Sequence, residues 1–371
     1  MPYLPRIRTL CWMAGLGAAA VAAQAQSNVT VYGLVDAAVE HINHVGADGA
    51  GLTRMPGLSG SAPSRLGFRG TEDLGNGLKA IFTLEMGMGV DSGTFNQGGR
   101  AFGRQAFVGL SGDWGTLSLG RQYSMLFYSQ LDADILGPNL YGSGSLDSYL
   151  PNARVDNAIA YRGKWGGLEL GGTYSFGRDA VNAGPSLSGT NCAGENAADS
   201  KACRQWSVMA KYNAAQWGVA AAVDEIRGGT GAFAGLNRSD LKDRRATVAA
   251  WFKPSTNLKL GAGLIARDND ANATQARSNL WYVGAAYNVT PAFTLDGQVF
   301  KLDYRHTDNA ATMFALRGTY ALSKRTAAYI TAGHVSNDGV NATAVSNGAA
   351  GGNPAAGSSQ TGVAIGMRHS F

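Results

Sequence analysis

Charge is scarce in this sequence. Asp, Glu, Lys and Arg together make up 15% of 371 residues, against about a quarter in ordinary globular domains. A soluble protein of this length, with charged helices around a continuous core, is therefore disfavoured. Long apolar runs are also missing: beyond residue 25 no stretch offers the roughly 18 consecutive apolar residues that a membrane helix needs. The five histidines, His41, His44, His306, His334 and His369, are scattered. On a strand the His41/His44 spacing points the two rings to opposite faces, so it makes no metal site. No Ser/His/acid or paired-acid grouping suggests catalysis, and Gly75-Asn76-Gly77 and Gly87-Met88-Gly89 read as turn and strand glycines, since neither opens a helix as a phosphate loop must. No enzyme activity, cofactor or metal is expected.

Cysteine is nearly absent as well, with three in the chain. Arg6 and Arg8 precede an apolar run from Leu10 to Ala23 and then Ala23-Gln24-Ala25, the pattern of a secretory signal cleaved after residue 25. Cys11 would leave with it, and Cys192 and Cys203 would remain, 11 residues apart in a polar segment. In an oxidising compartment they suit a loop-stapling disulfide, two free thiols being the alternative. Losing two arginines and no acid lowers the formal charge from +5 to +3. With Lys and Arg spread along the chain among acids, a nucleic-acid partner is not expected.

Glycine, by contrast, is abundant, at 52 residues or about twice ordinary usage. Mean hydropathy is −0.10. Both suit a wall one residue thick, polar on one side and apolar on the other. Period-2 alternation supports this. Leu78, Ala80, Phe82, Leu84, Met86 and Met88 oppose Lys79, Thr83 and Glu85, with Ile81 the misfit; Leu168, Leu170, Tyr174 and Phe176 oppose Glu169, Thr173 and Ser175. Short turns fall at 73–77, 112–115, 163–167, 213–216, 254–257, 288–291 and 322–325, with long polar loops near 43–62, 90–101, 122–155, 179–203, 225–242, 268–277, 305–310 and 336–360. Seven turns and eight loops join sixteen strands, which predicts an all-β, transmembrane, antiparallel 16-stranded β-barrel spanning residues 26–371 as one domain. The expectation is apolar side chains toward lipid and polar ones toward water inside. Trp114, Trp165, Tyr212, Trp217, Trp251, Phe252, Tyr287, Phe293 and Tyr320 lie beside the turns, where an interfacial girdle belongs. The final alternating segment, Thr361 to Phe371, ends on an aromatic carboxylate, similar to the C-terminal strand of bacterial outer-membrane barrels, where the assembly machinery reads that aromatic.

Five segments carry a wider resemblance: Val29-Thr30-Val31-Tyr32-Gly33-Leu34-Val35-Asp36, Ser64 to Gly75, Gly103-Arg104-Gln105-Ala106-Phe107-Val108-Gly109-Leu110, Leu119-Gly120-Arg121-Gln122, and Gly362 to Phe371. Together they resemble the general porins of Gram-negative bacteria, most closely the betaproteobacterial type. The resemblance implies a homotrimer in the cell outer membrane, in contact with its lipid and lipopolysaccharide. It also implies a third loop folded into each lumen and passive diffusion of small hydrophilic solutes and anions. A substrate-specific channel, or a barrel serving mainly as adhesin or receptor, are the alternatives. Carried over by position, the basic side of the pore constriction falls on Arg65, Arg104, Arg121 and Arg154; the resemblance implies an acidic opposing side, and Asp132, Asp134 and Asp147 lie in the third loop that would supply it. Parity sends Arg65 inward. It gives Arg121 the lipid-facing parity of Leu117 and Leu119, so a bulge or the end of the strand has to re-aim it.

Overall fold

A computed structural model describes residues 28–58, 61–180, 191–232, 235–272, 276–346 and 351–371. The expected signal segment, 1–25, lies outside them. Sixteen long strands form the wall: β1 (Asn28–Val45), β2 (Arg65–Gly75), β3 (Leu78–Gly89), β4 (Gln105–Gly112), β5 (Gly115–Tyr123), β6 (Arg154–Trp165), β7 (Leu168–Ser175) and β8 (Gln205–Asn213), then β9 (Trp217–Arg227), β10 (Lys242–Phe252), β11 (Leu258–Asn269), β12 (Arg277–Asn288), β13 (Phe293–Tyr304), β14 (Ala310–Ala321), β15 (Thr326–Asp338) and β16 (Gln360–Ser370). Two short strands, Ala50–Arg54 and Thr94–Phe95, decorate the first and second loops. Each wall strand pairs antiparallel with its sequence neighbour, and β1 closes the cylinder against β16 from Leu34↔Ser370 to Ile42↔Gly362. Closure leaves no wall strand with an open edge, the condition for lipid to surround a sheet.

The seven turns and eight loops fall where the sequence places them. Alternation sets the faces. Val31, Val39, Val108, Leu119, Val208, Val248, Val283, Phe314, Ile330 and Ile365 stand exposed on the outer surface. At the turn edges Trp114, Trp165, Tyr212, Trp217, Phe252, Tyr287 and Tyr320 are exposed in the same way. Trp251 is different: its parity turns it inward, and its Nε1 donates to Asn213 Oδ1 at 3.0 Å.

The inner face departs from the expectation of uniform polarity. Ile42, Ile226, Ile265, Leu280, Phe300, Met313 and Val335 point inward from β1, β9 and β11–β15 and are almost fully buried. They pack against Leu126, Leu136, Leu140, Tyr141, Leu146 and Leu150 of the segment between β5 and β6, together with Val345 of the last loop. These inward positions meet protein rather than water, so an apolar side chain is favoured there. The β5–β6 segment carries two short helices, α1 (Met125–Gln130) and α2 (Ser143–Leu146). Its polar anchors reach far around the wall: Leu136 N donates to Gln298 Oε1 at 2.8 Å on β13, Tyr141 Oη to Glu40 Oε2 at 3.2 Å on β1, and Tyr149 Oη to Asp224 Oδ2 at 3.0 Å on β9.

Candidate pore constriction

Three of the expected arginines converge on the wall opposite the apolar dock. Tyr123 ends β5 in register with Arg154, the first residue of β6. Its hydroxyl accepts hydrogen bonds from Arg154 Nη2 and Arg104 Nη2, each at 2.8 Å, and the Arg154 guanidinium lies 4.5 Å from the ring centroid. Arg104 also donates from Nε to Glu85 Oε1 at 2.6 Å. Glu85 holds the group together, since Tyr32 Oη donates to its Oε2 at 2.9 Å and Arg65 Nε lies 3.9 Å from the same oxygen. Arg104 and Arg154 are buried, whereas the Arg65 side chain is 30% exposed. Three guanidinium groups against one carboxylate leave this cluster with a net charge of +2.

Arg121 belongs to a second, neutral cluster. The β5–β6 register shifts between Gly120 and Gln122, a bulge, and Gly120 has φ +128°. An alanine Cβ at Gly120 would lie 2.2 Å from the Ala106 carbonyl oxygen, so glycine is required. The bulge breaks the parity that Leu119 sets and turns Arg121 away from lipid. Its Nη1 meets Asp156 Oδ1 at 2.7 Å and Asp179 Oδ1 at 3.7 Å, and Nε donates to the Gly103 carbonyl at 2.7 Å. Arg100 joins the same two acids, at 2.8 Å to Asp156 and 2.7 Å to Asp179.

The three loop acids do not face the basic wall. Asp132 pairs with Lys211 and accepts from Asn213, at the turn end of β8. Asp134 is buried, accepting from Ser143 Oγ at 2.6 Å and from Gln298 Nε2 at 2.9 Å on β13. Burial raises its pKa above the ordinary carboxylate value. Asp147 makes a two-point pair with Arg245, at 2.7 and 3.1 Å. Burial works against its charge, but Arg245 and then Arg267 outweigh that and hold the pKa low. Arg245 reaches on to Asp243 at 3.0 Å, and its guanidinium and that of Arg178 lie 4.5 and 4.8 Å from the Tyr149 ring centroid. The loop acids thus fasten the β5–β6 segment to the wall.

Sequence reading missed Glu85 as the carboxylate within the basic cluster, although its inward parity on β3 and pairing with Gly67, two residues from Arg65, signalled it. Asp156 shares the parity of Arg154 and was equally readable. Asp179 and Arg100 come from loops, which have no period to read. Cys192 and Cys203 are joined by a disulfide. Phe371 pairs with Gly33 of β1 through both backbone groups, at 3.2 and 3.1 Å.

Comparison with known proteins agrees with this geometry. A family model described as Gram-negative porin matches residues 13–340. Outer membrane porin protein 32 of Delftia acidovorans is 31% identical over 368 residues, covering 95% of this chain and 97% of that protein. The major outer membrane protein P.IB of Neisseria meningitidis serogroup B is 41% identical over 114 residues, 29% of this chain and 32% of its own. Among solved structures, an anion-selective porin from Comamonas acidovorans superposes with a TM-score of 0.74 at 25% identity, covering 93% of this chain and all of that one. A trimer form of OmpT from Vibrio cholerae gives a TM-score of 0.63 at 13% identity, over 93% of this chain and 99% of its own. The chain belongs to the Gram-negative porin family, as an outer-membrane barrel that lets solutes through by passive diffusion.

Proposed function

We propose that this porin is a homotrimer whose pores pass small hydrophilic solutes without chemical change and favour anions weakly to moderately. The β5–β6 segment narrows each lumen by lying on the apolar half of the wall, which leaves the basic half to border the water. The carrying observation is the convergence of Arg65, Arg104 and Arg154 on a single carboxylate, Glu85, and on Tyr123. A surplus of two positive charges beside a narrow passage in low-dielectric surroundings lowers the energy of an anion there and raises that of a cation. Arg65 is the member partly open to solvent, so it meets the solute, while Arg104 and Arg154 act through their field. Arg100 and Arg121, matched by Asp156 and Asp179, add little. Support for the anion bias comes also from the likeness to the anion-selective porin from Comamonas acidovorans. The trimer form of the Vibrio cholerae barrel supports the assembly. Residues 1–25 act as the export signal, and Phe371 as the aromatic read by the barrel assembly machinery.

Reversal potentials across a planar bilayer in a salt gradient test the proposal. Arg65→Ala and Arg154→Ala should each lower the anion-to-cation permeability ratio, roughly twofold to fivefold for the loss of one charge near the passage. An unchanged ratio in both variants refutes the assignment.

A further inference from the structure

Ile81 breaks the polar series on the inner face of β3, and the fold gives that break a place. It points into the lumen opposite Gly109 of β4, and Phe107 points the same way opposite Thr83. Both lie on the wall across from the apolar dock, outside the packed inner core, and both are only half-buried. Their inward neighbours Thr83, Ser111 and Thr116 are polar, as a wetted surface requires. Two large apolar side chains left facing water cost free energy that a covering group would recover.

Beside them lies a hollow of about 340 Å³ between β3–β7 and α1, at the small end of the range for small-molecule sites. Met125 and Tyr128 of α1 complete its apolar side. The opposite side is charged. The Arg162 guanidinium lies 3.8 Å from the Tyr128 ring centroid and donates from Nε to Glu169 Oε1 at 3.1 Å, yet its side chain is still 40% exposed. Lys164, with the same inward parity, is exposed and has no ion pair among the described residues. Two cations against Glu169 leave a surplus of one positive charge. Arg162 follows Arg154 by eight residues on β6, roughly 26 Å along the strand, so the hollow lies apart from the basic cluster, toward the short turns that in this fold face the periplasm.

We propose that this hollow is a second solute site, which holds an organic monocarboxylate with a flat apolar body, its carboxylate on Lys164 and Arg162 and its ring against Ile81, Phe107 and Met125. A single surplus charge matches a monoanion, whereas a second charge on the solute would lie on the apolar side without a partner. A guanidinium held flat by a ring presents the planar donors that suit a carboxylate. The solute's ring covers the two side chains that water otherwise wets. An aryl acid therefore pauses on the periplasmic side of the constriction, while chloride and short aliphatic acids pass. The proposal rests on the lumen as the solute path and not on the anion preference proposed above; half-blocking concentrations decide the one and reversal potentials the other.

The test is the block of chloride current through the full protein in a planar bilayer at pH 7, with 3-phenylpropionate, propionate or 3-phenylpropanol added in turn. Propionate and 3-phenylpropanol, each lacking one half of the recognised solute, should need concentrations about tenfold higher or more for half block. Phe107→Ser should raise the half-blocking concentration of 3-phenylpropionate about fivefold or more and leave that of propionate within about twofold. Lys164→Gln should raise it by a similar factor, roughly fivefold. Lys259→Gln serves as the control, since it removes a lumen cation that lies over Trp251 and outside the hollow. Propionate or 3-phenylpropanol as effective as 3-phenylpropionate overturns the site, as does wild-type block in both Phe107→Ser and Lys164→Gln. A loss in Lys259→Gln equal to that in Lys164→Gln overturns it too, because the general field of the lumen then accounts for the effect. If Phe107→Ser does not fold, Ile81→Ser decides on the same readings.

Discussion

Arg121 and Asp156 meet at 2.7 Å, and they do so because a bulge lies between Arg121 and the lipid-facing Leu119. A single glycine decides whether this guanidinium faces acids or hydrocarbon.

Replacing that glycine should therefore be costly. Gly120→Ala forces a side chain onto a positive-φ backbone and into the Ala106 carbonyl. A loss of about 2 kcal/mol or more is expected. The measurement is the urea midpoint of the refolded barrel, and a midpoint equal to wild type would show that the bulge relaxes freely.

The neutral cluster predicts a change of sign opposite to that of the basic one. Asp156→Asn or Asp179→Asn frees positive charge on Arg100 and Arg121. Anion preference should rise, roughly twofold or more, in salt-gradient reversal potentials. A fall in either variant contradicts the charge balance drawn above.

Asp179 depends in turn on the disulfide. Its backbone exchanges two hydrogen bonds with Cys192, at 3.1 and 2.8 Å, and the Arg178 N–H donates to the Cys203 carbonyl at 3.0 Å. Reducing the bond, or Cys192→Ser, should loosen this bridge and raise anion preference in the direction of Asp179→Asn. Combining Cys192→Ser with Asp179→Asn should add little, because both remove the same carboxylate from Arg100 and Arg121. Additive effects would separate the two.

How much of this was legible beforehand differs along the chain. Wall strands such as β7 and β16 show themselves by parity, because lipid and water impose unlike demands on alternate residues. Arg65 could be aimed by the same rule. Arg121 could not, since a bulge costs one residue of register and leaves no mark beyond a glycine. Resemblance sets the three loop acids on the acidic side of the constriction, yet Asp134 and Asp147 fasten the loop to Gln298 and Arg245. Inward apolar residues such as Phe300 and Met313 follow the alternation, but their partners, Leu136 and Leu140 among them, lie more than 150 residues away in sequence. No local pattern encodes such a contact.

Two carboxylates on that loop should respond to pH in opposite senses. Asp147 has a pKa below the ordinary 3.8, so its stabilising effect is whole above about pH 3.8 and fades as pH falls through the lower native value. Asp134 has a raised pKa, so what it contributes belongs to its protonated form and is lost as pH rises from 3.8 through the native value. Asp147→Asn should therefore lower the melting temperature at pH 7 and flatten the acid side of the profile. Asp134→Asn should leave stability at pH 7 equal or higher. Melting curves between pH 3 and 8 check both, and a profile for Asp147→Asn parallel to wild type would remove Arg245 as the cause.

The pairing of β1 with β16 joins residues 320 or more positions apart in sequence, His41 with Val363 for example. Until the final ribbon arrives, the growing sheet has two raw borders of unsatisfied amides, a hazard both in hydrocarbon and among other chains. Sealing is then all or nothing: a barrel one ribbon short is not a slightly leakier barrel but an unfinished surface that something else must shield.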